Sequence, residues 1–153
     1  MAQSQSLSKI EIYGNKSLLK GKLKQIKFVL NQIAKDHFKQ IGILEITLVT
    51  DEELLQINID QLNHNYYTDI ITFDYCYGSI IEGDIYISLD RTKDNAKTFA
   101  TSSLLELSRV IFHGVLHLAG YKDKTKTDKQ KMTEMENKYL VIFKNLFHGE
   151  HKL

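Results

Sequence analysis

The chain contains no proline and a single cysteine, and its formal net charge is only +1 at pH 7. Each shortage excludes something. A lone Cys76 cannot build an internal disulfide framework or a Cys-rich zinc ribbon, and it favours a reducing compartment. The lack of proline leaves the turns to Gly, Asn and Asp. Near-neutral charge offers none of the global basic footprint of a bulk nucleic-acid binder, so contact with a polyanion must rest on local patches. No segment approaches the roughly 18 consecutive apolar residues of a membrane span. The opening MAQSQSLSKIEIYGNK also lacks the apolar run of a signal peptide. A soluble cytoplasmic protein without a membrane partner is expected. No internal repeat, low-complexity tract or GxxxxGK[ST] phosphate loop is present.

What remains is 153 residues, enough for one domain over 1–153 that buries its own core, with 144–153 expected as a frayed tail. A metal in such a chain would be functional rather than structural. Ser8–Tyr13 alternates polar and apolar residues and predicts a first strand. From Ser17 to Phe38, Leu18, Leu19, Leu23, Ile26, Val29, Leu30, Ile33 and Ala34 recur at helical spacing. Lys16, Lys20, Lys24 and Lys27 on its other faces read as a solvated surface or as phosphate contacts. Gly42–Thr50 is a second strand. The Thr50-x-x-Glu53 capping box opens a short helix from Glu52 to about Asn63. After the turn-rich Asn63–Tyr67, the runs Thr68–Tyr75 and Asp84–Ser88 are separated by turn signals at Gly78 and Gly83. Helices are expected over Asp90–Phe99, over Ser102–Ala119, and from Thr127 onward with Gln130 as capping partner. The last carries a packing stripe of Met132, Met135, Tyr139, Ile142 and Leu146. Four strands and about five helices that do not alternate regularly indicate an α+β class rather than a doubly wound sheet.

The chemistry concentrates in His113-Gly114-Val115-Leu116-His117-Leu118-Ala119-Gly120-Tyr121-Lys122-Asp123. Residues four apart on a helix share a face, about 5 to 6 Å apart at Cβ, so His113 and His117 can reach one metal ion. Gly120 permits a left-handed helix end that brings Asp123 back beside them. His113, His117 and Asp123 therefore read as a three-ligand metal site. Glu106 and Arg109 lie on the same side of the helix. Glu106 is a candidate acceptor for the second nitrogen of a ligating histidine, or the partner of Arg109 in an i,i+3 ion pair. The spacing also occurs in metzincin proteases, but their catalytic glutamate is replaced here by Gly114, which disfavours peptide hydrolysis. Three ligands with an open fourth position can lower the pKa of bound water to roughly 7 or polarise a phosphoryl oxygen.

HGVLHLAGYKD resembles the H-G-x-L-H-L-x-G-Y-D-H signature of the YbeY family of bacterial endoribonucleases. The likeness extends through Ile57-Asn58 to Thr68-Asp69-Ile70-Ile71-Thr72-Phe73, and to Gly83-Asp84-Ile85-Tyr86-Ile87-Ser88. It implies a mixed four-stranded sheet flanked by helices and one Zn2+ per chain in a cleft. It also implies single-stranded RNA as substrate, with a role in ribosomal RNA (16S 3′ end) maturation and ribosome quality control, and the small ribosomal subunit as a partner. Two positions depart from the pattern. Asp123 stands where the family has a third histidine, which leaves the site one unit less positive. Leu62 stands where the family usually has an arginine, whose fork for phosphate leucine cannot supply; His64 is a partial substitute. Lys122, Lys124 and Lys126 are candidate phosphate contacts, and Tyr66 and Tyr67 candidate stacking surfaces. The alternatives are a zinc hydrolase or peptidase of other specificity, and a non-catalytic ribosome-associated factor with a structural metal.

Overall fold

The computed structural model describes the backbone of residues 8–151 and the side chains of residues 8–147. Four strands, β1 (Lys9–Gly14), β2 (Gln40–Val49), β3 (Ile70–Asp74) and β4 (Ile80–Ser88), form one sheet in the order β1-β2-β4-β3. β1 and β4 both pair parallel to β2, and β3 runs antiparallel to β4. Among the described residues there are five α-helices: α1 (Leu23–Asp36), α2 (Asp51–Leu62), α3 (Leu89–Thr98), α4 (Ser103–Leu118) and α5 (Lys126–His151). This is the expected α+β domain with a mixed sheet.

Local chemistry accounts for several helix starts. Thr50 and Glu53 form the anticipated capping box at the start of α2, and Ser102 caps α4 by accepting from the Leu105 N–H. Three expectations are corrected. The helix expected over Ser17–Phe38 is divided into a 3-10 turn, Ser17–Leu19, and α1, because Lys20 adopts extended backbone (ψ 125°) directly after the fully buried Leu19. β4 starts at Ile80, so Gly83 lies inside the strand rather than in the preceding turn. A Cβ there would sit 2.5 Å from the Phe73 carbonyl oxygen and 3.1 Å from Leu118 Cδ1, so this glycine marks close approach of neighbours. α5 starts at Lys126, with Thr125 accepting from the Asp128 N–H (3.0 Å) in place of the Thr127–Gln130 pairing.

The core lies between one face of the sheet and the helices. Ile10, Ile12, Leu44, Ile46, Ile85 and Ile87 meet Ile26, Leu30 and Ile33 of α1 and the apolar side of α4. α4 is buried over most of its length, with Leu107, Ile111, Phe112, Val115 and Leu116 fully inaccessible. At Gly114 it presses on the sheet: a Cβ there would lie 3.0 Å from the Cδ1 atoms of Ile70 and Ile85. On α5 the buried residues are Met132, Glu136, Tyr139 and Phe143, while Met135, Ile142 and Leu146 of the expected stripe are partly covered. α5 continues through Phe147, whose ring packs on Phe143 (centroids 4.4 Å apart). The α5 backbone runs on to His151, while the side chains from His148 onward and residues 152–153 lie outside the described residues.

Candidate active site

With its apolar side pinned to the sheet, α4 turns the row Glu106, Arg109, His113 and His117 toward β3, the turn at Asp123 and α5. The cavity that Arg109, His113 and His117 face measures about 590 Å³ and is lined also by Thr68, Asp69, Ile70, Thr72, Val110, Asp123, Lys129, Met132, Thr133 and Glu136. All three predicted metal-ligand residues therefore line one cleft. The helix end that brings Asp123 round is a Schellman turn. The Gly120 N–H donates to the His117 carbonyl (3.0 Å) and the Tyr121 N–H to the Leu116 carbonyl (3.1 Å), with Gly120 at φ +118°.

Both histidines are oriented from behind. The Nδ1 N–H of His113 donates to Glu136 Oε2 at 2.6 Å, and that of His117 donates to the Tyr121 carbonyl at 3.0 Å. Committing Nδ1 leaves Nε2 as the nitrogen with a lone pair, the arrangement that suits a metal ligand. His113 Nε2 lies 3.8 Å from Asp123 Oδ2. Two donors bound tetrahedrally to one zinc at about 2.0 to 2.2 Å stand roughly 3.3 to 3.5 Å apart, so a small side-chain movement brings this pair to ligand spacing. Among the described residues, no three His, Cys, Asp or Glu side chains are already drawn together tightly enough to enclose an ion. The donor chemistry and the ring orientations fit a divalent metal, and His117 and Asp123, both on the exposed side, have to close on it.

Glu136, the acceptor for His113, was not among the residues anticipated. It is 3% exposed, and its other oxygen accepts from Arg109 Nη1 at 2.8 Å. Arg109 in turn binds Glu106 through Nε at 3.0 Å and through Nη2. Glu106 is thus the ion-pair partner of Arg109, not the partner of a histidine. A signal for Glu136 existed: it occupies a buried row of α5 between Met132 and Tyr139, where an unpaired carboxylate could not persist. The charges interact strongly. Hydrogen bonding to Glu106 is the main influence raising the Arg109 guanidinium above its ordinary range. Burial of His113, its largest single influence, favours the neutral ring, but the hydrogen bond and charge of Glu136, with Asp123 and Asp69, outweigh it and raise its proton affinity.

Other expectations fall outside the cleft wall. Lys122 lines a separate surface cavity with Tyr121 and Lys131, and the lysine that does line the cleft is Lys129. Tyr66 and Tyr67 are 55% and 47% exposed in the segment leading to Thr68 and Asp69. The Tyr66 ring stacks on His64, and the Tyr67 hydroxyl donates to Glu52. Leu62 ends α2, and neither it nor His64 reaches the cleft lining. Cys76 is half-buried, its thiol directed at the Glu82 and Leu118 carbonyls, and burial pushes its pKa up. It behaves as a small packing residue.

The profile of a family described as Endoribonuclease YbeY matches residues 9–144. An Endoribonuclease YbeY of Cytophaga hutchinsonii is 49% identical over 121 residues, covering 78% of this chain and 85% of the relative. One of Bacteroides thetaiotaomicron is 43% identical over 113 residues, covering 74% and 82%. Among solved structures, the solution structure of TM1509 from Thermotoga maritima matches with a TM-score of 0.65 at 26% identity, over 93% of each chain. The chain belongs to the YbeY family of endoribonucleases.

Proposed function

We propose that this chain is a zinc-dependent endoribonuclease of the cytoplasm that cuts single-stranded RNA in ribosomal RNA maturation and ribosome quality control, with the small ribosomal subunit as partner. The observation that carries the metal reading is the paired orientation of His113 and His117, each with Nδ1 committed to an acceptor and Nε2 left for the cleft, beside Asp123. His113, His117 and Asp123 would hold the ion. A divalent metal there supplies Lewis acidity to a phosphoryl oxygen and makes water a nucleophile near neutral pH.

The remaining work belongs to the chain itself. Glu136, held by Arg109, fixes the ring plane and tautomer of His113. Lys129 brings positive charge to the cleft wall, where a backbone phosphate needs it. Thr68, Thr72 and Thr133 add hydroxyls that can donate to phosphate oxygens. Gly114 faces Ile70 and Ile85 rather than the cleft, so no proton acceptor can be supplied from the position that proteases of this spacing use.

The test is incubation of the purified protein with single-stranded RNA and with a peptide panel, with and without chelator. RNA cleavage that chelator and His113→Ala both abolish is the expected result. Peptide cleavage would replace the reading by a hydrolase of other specificity, and intact RNA with normal ribosome binding by a non-catalytic factor.

A further inference from the structure

A second cavity of about 420 Å³ adjoins the cleft. It shares Arg109, Thr133 and Glu136 with the cleft, and its own lining includes Phe99, Leu105 and Leu140. The ion-paired bridge from α4 to α5 is thus a wall common to both. Leu105 lies eight residues before His113 on α4, about 12 Å along the helix axis, so the groove begins within reach of a neighbouring nucleotide of a strand held at the histidines.

The groove has the chemistry of a base site rather than a phosphate site. Both carboxylates on its wall are taken up by Arg109, so they present hydrogen-bonded edges more than free charge. The rest of the lining is largely apolar, from Phe99, Leu105 and Leu140, with the hydroxyl of Thr101, the amide of Asn137 and one ammonium group, that of Lys144. Phe99 is 64% exposed, so much of its ring is open to solvent beside the groove. Its exposure does not come from a loose segment. The Phe99 N–H donates to the Asn95 carbonyl and the Thr101 N–H to the Ala96 carbonyl, both at 2.9 Å, with Ala100 between them in a left-handed conformation at φ 53°. A rigid turn holding an aromatic face out beside a nuclease cleft is what stacking on an unpaired base requires.

We propose that this groove is a nucleobase subsite, in which an unpaired base flanking the scissile phosphate stacks on Phe99 while Thr101, Thr133 and Asn137 meet its edge. The subsite rests on the reading of the cleft as one that takes single-stranded RNA. It supplies a reason for preferring single strands that is independent of the metal, since a paired base cannot leave its duplex to reach Phe99 without unstacking.

The chain contains no tryptophan, so Phe99→Trp installs a single indole reporter at the site. The full-length variant, with its metal bound, is titrated with a short cleavage-resistant (2′-O-methyl) single-stranded RNA and with the corresponding duplex. The expected result is quenching by the single strand with the midpoint seen for the labelled RNA by anisotropy, and little quenching by the duplex. In parallel, Phe99→Ala weakens single-strand binding about tenfold, as loss of one stacking contact does, and Phe99→Tyr restores it, with thermal unfolding unchanged in both. Unquenched indole together with normal RNA affinity in Phe99→Ala overturns the subsite and leaves the endoribonuclease reading standing. Failure of the wild-type chain to bind RNA at all overturns both. An indole signal that depends on protein concentration without RNA overturns the subsite in favour of a second copy of the chain as occupant.

Discussion

Glu136 Oε2 lies 2.6 Å from His113 Nδ1, although the two residues are 23 positions apart and on different helices. The carboxylate sets which nitrogen of the ring is left for a metal and adds basicity to it. Glu136→Gln keeps the shape but weakens the acceptor and removes the charge. We expect zinc affinity to fall 10- to 100-fold, measured by competition with a chromophoric chelator, with the fold retained by circular dichroism.

Asp123→Ala removes a proposed ligand rather than its support. Its loss of zinc affinity should exceed that of Glu136→Gln, and metal analysis of protein purified without added metal should show less than one ion per chain. Full stoichiometry at unchanged affinity would remove Asp123 from the ligand set. Asp123→His should restore binding, because imidazole is an equivalent donor for zinc.

Gly114→Ala introduces a methyl group 3.0 Å from two isoleucine Cδ1 atoms. Overpacking of this size costs typically about 1 to 3 kcal/mol, and urea unfolding should show it. Gly114→Glu should destabilise further and create no peptidase activity, since the side chain would point into the sheet.

Asp36 accepts a hydrogen bond from the Tyr139 hydroxyl at 2.7 Å. That bond is the main cause holding the Asp36 carboxyl below its ordinary value of 3.8, helped by Gln32 and Lys138. A lowered folded-state pKa adds stability that is present above the unfolded value and is lost as pH falls through the folded one. Tyr139→Phe should therefore cost about 1 kcal/mol near neutrality. Its deficit against the wild type should shrink once pH drops below 3.8, as comparison of urea midpoints on either side of that value will show.

Much of this molecule is legible from local pattern. The Thr50–Glu53 box, the Ser102 start of α4 and the turn at Gly120 all depend on residues within a few positions of each other, and each is found where the spacing puts it. The same holds for the row that brings His113 and His117 to one side of α4, and for the glycine that returns the chain to Asp123. What local pattern does not carry is the identity of distant partners. Periodicity marks Glu106 as near His113 but cannot weigh it against Glu136, which arrives from another helix and displaces it. Lys129 against Lys122 is a similar case: both lie in the lysine-rich stretch around and after Asp123, and only the path of the chain into α5 decides which faces the cleft. The strand order escapes for the same reason, because the pairing of β2 with β4 joins segments some forty residues apart.

Tyr121 serves two masters at once. Its carbonyl holds His117, while its hydroxyl donates to His37 Nε2 at 2.8 Å, and His37 in turn donates through Nδ1 to the Ile33 carbonyl at 2.6 Å. The end of α1 and the far side of the cleft are thereby joined through one residue. Loosening either should be felt by the other, so the amide protons of the Gly120 turn should exchange with solvent together with those at the end of α1, as one cooperative unit. The part of the cleft nearest solvent would then be no softer than the helix that braces it.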